Sequence, residues 1–216
     1  YQPVWEMVCK LRDVMGKRDA QYSLDGQVEL DDGFFTTERP EEEKDTPLKR
    51  GRGSQKKSKV VVMVESAPSQ RHPRKGKPSK VVGHLKMQVI PDLKTQTVTD
   101  VAKKHLEPSV ELTTDDSTSY HKLGEHVPKH QTVISDKKNV EKILPWVHIA
   151  ISNAKRLLLD MHHRIKHEYL QYYLNEFCYK FNRRYFGEKL FDRVVLAAIS
   201  YNTDFKSRTY RRTTCG

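Results

Sequence analysis

Four residues define the chemistry open to this chain: Asp31, Asp115, Asn153 and Lys155. Asp31 follows Val28-Glu29-Leu30, Asp115 follows Leu112-Thr113-Thr114, and Asn153 and Lys155 sit in Ile151-Ser152-Asn153-Ala154-Lys155. Carboxylates gathered from distant parts of a chain suit hard divalent cations, Mg2+ or Mn2+, which take oxygen ligands. Asp31, Asp115 and the amide oxygen of Asn153 are the candidate metal ligands. Two such ions can clamp both the attacking and the leaving oxygen of a phosphodiester. Around these residues the chain is basic, with 39 Lys and Arg against 28 Asp and Glu and a formal net charge of +11. Cationic side chains gain affinity for polyanions by releasing counterions from phosphates. An acidic, metal-holding centre in a basic chain points to an enzyme that cuts or joins nucleic acid. Charge alone fits a basic soluble protein equally well.

The elements that must position these residues follow from periodicity. Val4, Val8, Leu11 and Met15 recur at helical spacing. Val28 to Phe35 reads as a strand, Val60 to Val64 as a strand buried on both faces, and Val81 to Ile90 as its hairpin partner. Between the first two, residues 38–59 pass from Glu41-Glu42-Glu43 to Lys49-Arg50-Gly51-Arg52 with almost nothing to bury, which predicts a flexible charged loop. A basic turn spans 70–80. A helix over 97–106, a strand over 110–113, a short helical piece and a weak strand over 126–134 come next. Helices follow at 139–144, 147–163, 167–184 and 189–199, with Pro145 suited to a helix start.

This order predicts an α/β fold, a ribonuclease-H-like mixed five-stranded sheet flanked by helices, with extra C-terminal helices. In that fold the first and fourth strands lie side by side and the helix after the last strand crosses near them, which would bring positions 31, 115 and 153 together. The expected organisation is an N-terminal helical segment at 1–22, a catalytic domain at 23–165, and C-terminal helices with a basic tail at 166–216. Lys155 lies about 200° round the helix from Asn153, so contact with a DNA phosphate suits it better than contact with a metal.

Three cysteines, far apart and without a Cys-x-x-Cys pair, support neither a disulfide framework nor a zinc ribbon, which points to a reducing cytoplasm. No apolar run approaches the roughly 20 residues a membrane span needs, so no membrane partner is expected. The chain opens at Tyr1 already in helix-like sequence, as expected of a fragment that lacks N-terminal material.

Four stretches carry a family resemblance: Gly26 to Asp32; Thr114-Asp115 with Tyr120; Val147-His148 through Asn153-Ala154-Lys155-Arg156; and Tyr169 to Phe177 with Phe181-Asn182-Arg183-Arg184. With Leu11 to Gly16 they span about residues 5 to 200. The chain resembles the DDE-type transposases of bacterial insertion sequences, of the ISXO2-like kind. The resemblance implies a magnesium-dependent nuclease and strand transferase, associated with the nucleoid, that cuts at transposon ends and joins the freed 3′-hydroxyl to target DNA. It implies two metal ions and at least a homodimer, since two ends must be joined. Asp31 and Asp115 match the two family aspartates, Asn153 the third position and Lys155 the family lysine. Asp160 stands where the family has glycine, and the family's N-terminal zinc ribbon is absent here. A decayed DNA-binding remnant and a structure-specific nuclease on the same fold are the alternatives.

Plainer uses compete for each residue. Asp31 and Asp32 can end a strand, Asp115 can cap a helix, Asn153 can bond within a helical core, and Lys155-Arg156 can be a solvated face. Five residues ahead of Asn153, His148 points elsewhere on the helix. Histidines 162, 163 and 167 invite zinc but lack a completing ligand in sequence. Tyr169, Leu170, Tyr173, Leu174, Phe177 and Phe181 form a core stripe, and Arg183-Arg184 suit a helix C-terminus or DNA.

Overall fold

A run of five apolar residues, Val60 to Val64, has no polar side chain to turn outward, so its strand must be covered on both faces. All five are buried. The computed structural model describes residues 1–68, 80–133 and 144–206. Its five strands are β1 (Gln27–Thr36), β2 (Lys57–Pro68), β3 (Lys80–Ile90), β4 (Glu111–Asp115) and β5 (Lys129–Val133). They form one sheet in the order β3-β2-β1-β4-β5. β1, β2 and β3 pair antiparallel, whereas β4 runs parallel to both β1 and β5. The fold is the expected mixed, ribonuclease-H-like α/β arrangement.

Among the described residues five helices accompany the sheet: α1 (Gln2–Asp19), α2 (Thr95–His105), α3 (Pro145–Met161), α4 (Leu170–Asn182) and α5 (Leu190–Ser200). On one face Val60, Val62, Val64, Phe35 and Leu85 pack against Val147, Ile151 and Leu158 of α3 and Leu170 and Leu174 of α4. On the other, Val28, Leu30, Val61 and Met63 pack against Val98 and Ala102 of α2, with Tyr120 and Leu123. The expected helix at 139–144 and the basic turn at 70–80 lie, up to single end residues, outside the described residues. Asp115 is the last residue of β4 rather than a residue beyond it, because pairing with Val133 of β5 extends the strand.

Two expectations are revised. In α1 the buried residues are Glu6, Cys9, Arg12, Val14, Met15 and Asp19, while Val4 and Met7 are exposed. Ion pairs Arg12–Glu176 at 2.7 Å and Asp19–Arg183 at 2.6 Å let charged residues face inward. Gly16 allows this close approach, since a Cβ there would lie 2.2 Å from Asn175 Nδ2. Arg183 and Arg184 are likewise occupied by the fold: Arg183 also stacks on Tyr179, and Arg184 donates to the carbonyls of Val82 and Gly83. The loop at 38–56 is held at its ends, by a Thr37–Ser58 hydroxyl contact of 2.9 Å and a bridge from Glu38 to Lys166. Within it Gln55 bonds Pro47 and Lys49.

α4 also covers the sheet edge. Gln171 donates to the Met87 carbonyl and accepts from the Val89 N–H, while Asn182 accepts from the Leu85 N–H and donates to its carbonyl. These side-chain amides bond alternate residues of β3, as a further strand would.

The start of α3 is tied to β1 by Glu29, which is 1% exposed. Its Oε2 accepts from the backbone N–H groups of Trp146 at 2.8 Å and Val147 at 3.0 Å, and its Oε1 accepts from the Ser66 hydroxyl at 2.6 Å. Pro145 begins the helix without an N–H of its own. The carboxylate thus satisfies the first two free N–H groups and meets the positive end of the helix. Glu29→Ala should lower stability by about 2–3 kcal/mol, read as a lower denaturation midpoint with unchanged slope; Glu42→Ala, on an exposed turn, should not.

His105 gives a pH signature. Burial, then Lys86 and Lys104, depress its pKa from 6.5 to about 4. Between those values the unfolded chain binds a proton that the folded chain does not, so stability is full above 6.5 and falls as pH drops toward 4. The loss is about 3 kcal/mol, and a His105→Gln variant should show a flatter pH dependence of its unfolding midpoint.

Candidate active site

The sheet brings the two acids together. β1 and β4 run parallel with Glu29 beside Thr113 and Leu30 beside Thr114. The pairing ends there; carried one residue further, the same register would set Asp31 and Asp115 opposite each other on strands about 4.8 Å apart. Side chains alternate along a strand, so both carboxylates project on the face that carries Glu29, Gly33 and α3. Asp31 is only 13% exposed, and its Oδ1 accepts the Asp32 N–H at 2.8 Å. Asp115 Oδ1 accepts the Ser117 N–H at 3.2 Å. That bond turns the chain out of β4 ahead of the short helical segment at Thr118–Glu125.

Asp32 points to the opposite face, where its Oδ1 accepts from the Tyr120 hydroxyl at 3.0 Å. Tyr120 is fully buried. Burial first, then the charges of Asp32, Asp31 and Asp115, push its phenol far above the ordinary tyrosine range.

From α3, His148 reaches Asp31. His148 Nδ1 lies 3.5 Å from Asp31 Oδ2. Burial and the charge of Lys57 lower the Lys155 pKa, while Asp31 and Asp32 raise it. The Lys155 ammonium also lies 5.6 Å from the centre of the Phe35 ring. The side of α3 that meets β1 carries Ile151, whose Cγ1 would be 3.5 Å from a Cβ on Gly33. Asn153, expected to share the site, is exposed and lies about 200° round the helix from Ile151.

Beyond Lys155 a groove of about 470 Å³ runs between α3 and the 37–44 segment. Lys44, Lys56, Lys155 and Arg164 line it, with Glu38 and Glu41 opposite. Some of this charge is already paired, as in Lys44–Glu41. The three histidines considered for zinc diverge: His162 meets the Tyr173 ring edge-on, and His167 Nδ1 bonds the Ser58 hydroxyl at 2.7 Å. Among the described residues no group of three or more His, Cys, Asp or Glu stands ready to hold a metal. Two carboxylates are nevertheless a fitting set for Mg2+, which keeps several waters and completes its shell with substrate phosphates.

Sequence reading passed over Glu29 and turned His148 away. The signal for Glu29 was its period-two placement with Asp31 and Gly33 on one strand face. For His148 it was the spacing of seven residues from Lys155, which is close to two full helical turns.

A family model described as ISXO2-like transposase domain matches residues 23–182. A search of curated proteins finds no match. No helix among the described residues is long and apolar enough to cross a membrane.

Tyr120→Phe should remove the hydrogen bond to Asp32 and cost about 1 kcal/mol. The fold should persist, with the loss visible as a modest drop in melting temperature.

Proposed function

The chain belongs to the family of ISXO2-like transposase domains, and on that premise we propose that it cuts DNA at insertion-sequence ends and joins the freed end to target DNA. The observation that carries this reading is the parallel β1–β4 register, whose last pair is Leu30 and Thr114, with Asp31 and Asp115 as the next residues of the two strands. Those two carboxylates would hold Mg2+ or Mn2+, with water and a DNA phosphate filling the remaining positions. When bound, two such ions supply activation of the attacking oxygen and stabilisation of the leaving one.

The chain's own residues do the rest. Lys155 lines the groove, where its ammonium would hold the scissile phosphate and balance charge that builds on it. Lys44, Lys56 and Arg164 continue the positive track along the DNA backbone without reading bases. In cleavage, a water oxygen bonds to phosphorus and the bond to the 3′-oxygen breaks, leaving a 3′-hydroxyl. In joining, that hydroxyl attacks a target phosphodiester and displaces one of its oxygens. Two copies of the chain would act on two ends, in the bacterial cytoplasm.

One observation favours a second reading, binding without cutting: α3 offers no third carboxylate to the pair. End-labelled duplex bearing the element's ends, incubated with Mg2+, separates the two. The unaltered chain should nick it, and Asp31→Asn or Asp115→Asn should each abolish nicking while leaving binding intact. Lys155→Ala should slow nicking by about 100-fold. If the unaltered chain and both aspartate variants are equally inert yet bind with a steep salt dependence, the binding-only reading stands. Cutting of branched DNA without joining would identify a structure-specific nuclease instead.

A further inference from the structure

With Asn153 on the exposed side of α3, that helix's contribution to the acid pair has to come from other residues. We infer that His148 supplies it as a positioning residue, directing its Nδ1–H at Asp31 and fixing the carboxylate in the orientation a divalent ion requires. This inference rests on the metal-binding role proposed for Asp31 and Asp115.

Three observations converge on it. His148 Nδ1 stands 3.5 Å from Asp31 Oδ2, with the two side chains 33% and 13% exposed, so the contact is largely shielded from water. His148 precedes Lys155 by seven residues, about 20° short of two turns, so both side chains leave α3 on nearly the same side. The backbone at this point is also fixed, because Glu29 bonds the N–H groups of Trp146 and Val147, immediately before His148. A ring so anchored makes an ordered donor. Donors of this kind on a ligating carboxylate set its direction, and their loss typically weakens metal affinity 10- to 100-fold. Either the neutral Nδ1–H form or the imidazolium can fill the role, so it does not depend on titration.

The test is Mn2+ binding to the whole 216-residue chain, followed by water-proton relaxation, with thermal unfolding measured on the same samples. His148→Ala should weaken Mn2+ binding at least 10-fold with little change in unfolding temperature. His148→Asn, whose amide nitrogen reaches about the place of Nδ1, should recover most of the affinity. Asn153→Ala should bind as the unaltered chain does. Unchanged affinity in His148→Ala overturns the inference, as does weakening by Asn153→Ala instead. Failure of His148→Asn to restore binding, together with a lowered unfolding temperature, would make the residue structural and overturn it as well. If Asp31→Asn and Asp115→Asn bind Mn2+ like the unaltered chain, the metal site itself is misassigned, a pattern distinct from all of these.

Discussion

The carboxylate of Glu29, buried in the middle of the molecule, bonds the first two free N–H groups of α3, and the arrangement of the candidate site follows from that contact. A helix leaning on a sheet through apolar side chains alone can slide or rotate with little penalty, because such contacts have no direction. Hydrogen bonds from a carboxylate to two successive backbone N–H groups do have direction. They set where α3 begins and which of its residues face β1. Ile151 then meets Gly33, and His148 meets Asp31. Because Glu29 and Asp31 are two residues apart on one strand face, the group that docks the helix and the group proposed for a metal are held by the same few peptide units.

β1 works on both faces. Asp31 turns to α3, and its neighbour Asp32 turns the other way to Tyr120. Adjacent like charges repel, and here the pleat separates their side chains while a buried phenol donates to the second. The site also lies where the connection order of the sheet changes. From β1 the chain moves outward through β2 and β3, then returns by α2 to lay β4 on β1's other side. Such switch points leave a crevice at the strand ends, and ligands in open α/β sheets collect there.

Much of this was legible in the sequence, since alternation and apolar runs report burial directly. The doubly buried β2, the β2–β3 hairpin, the adjacency of β1 and β4 and the apolar stripe of α4 all follow from patterns that need no knowledge of partners. The misread parts depended on partners. The phase of α1 could not be deduced from its apolar residues, because Arg12 and Asp19 face inward only when Glu176 and Arg183 wait more than 160 residues away. Asn153 was placed by its residue type and by the expected crossing of its helix near β1 and β4. The helical face it occupies depends on how α3 docks, and a strand glutamate sets that. The same rotation that carries Asn153 to the exposed side carries His148 inward.

The amides of Gln171 and Asn182 on the outer rim of β3 carry a consequence for assembly. A strand at the border of a sheet normally presents unpaired backbone groups on which another polypeptide can build. At β3 the groups of Leu85, Met87 and Val89 are taken by side chains of α4. A second copy therefore cannot lengthen the sheet along these residues of β3 without first displacing α4.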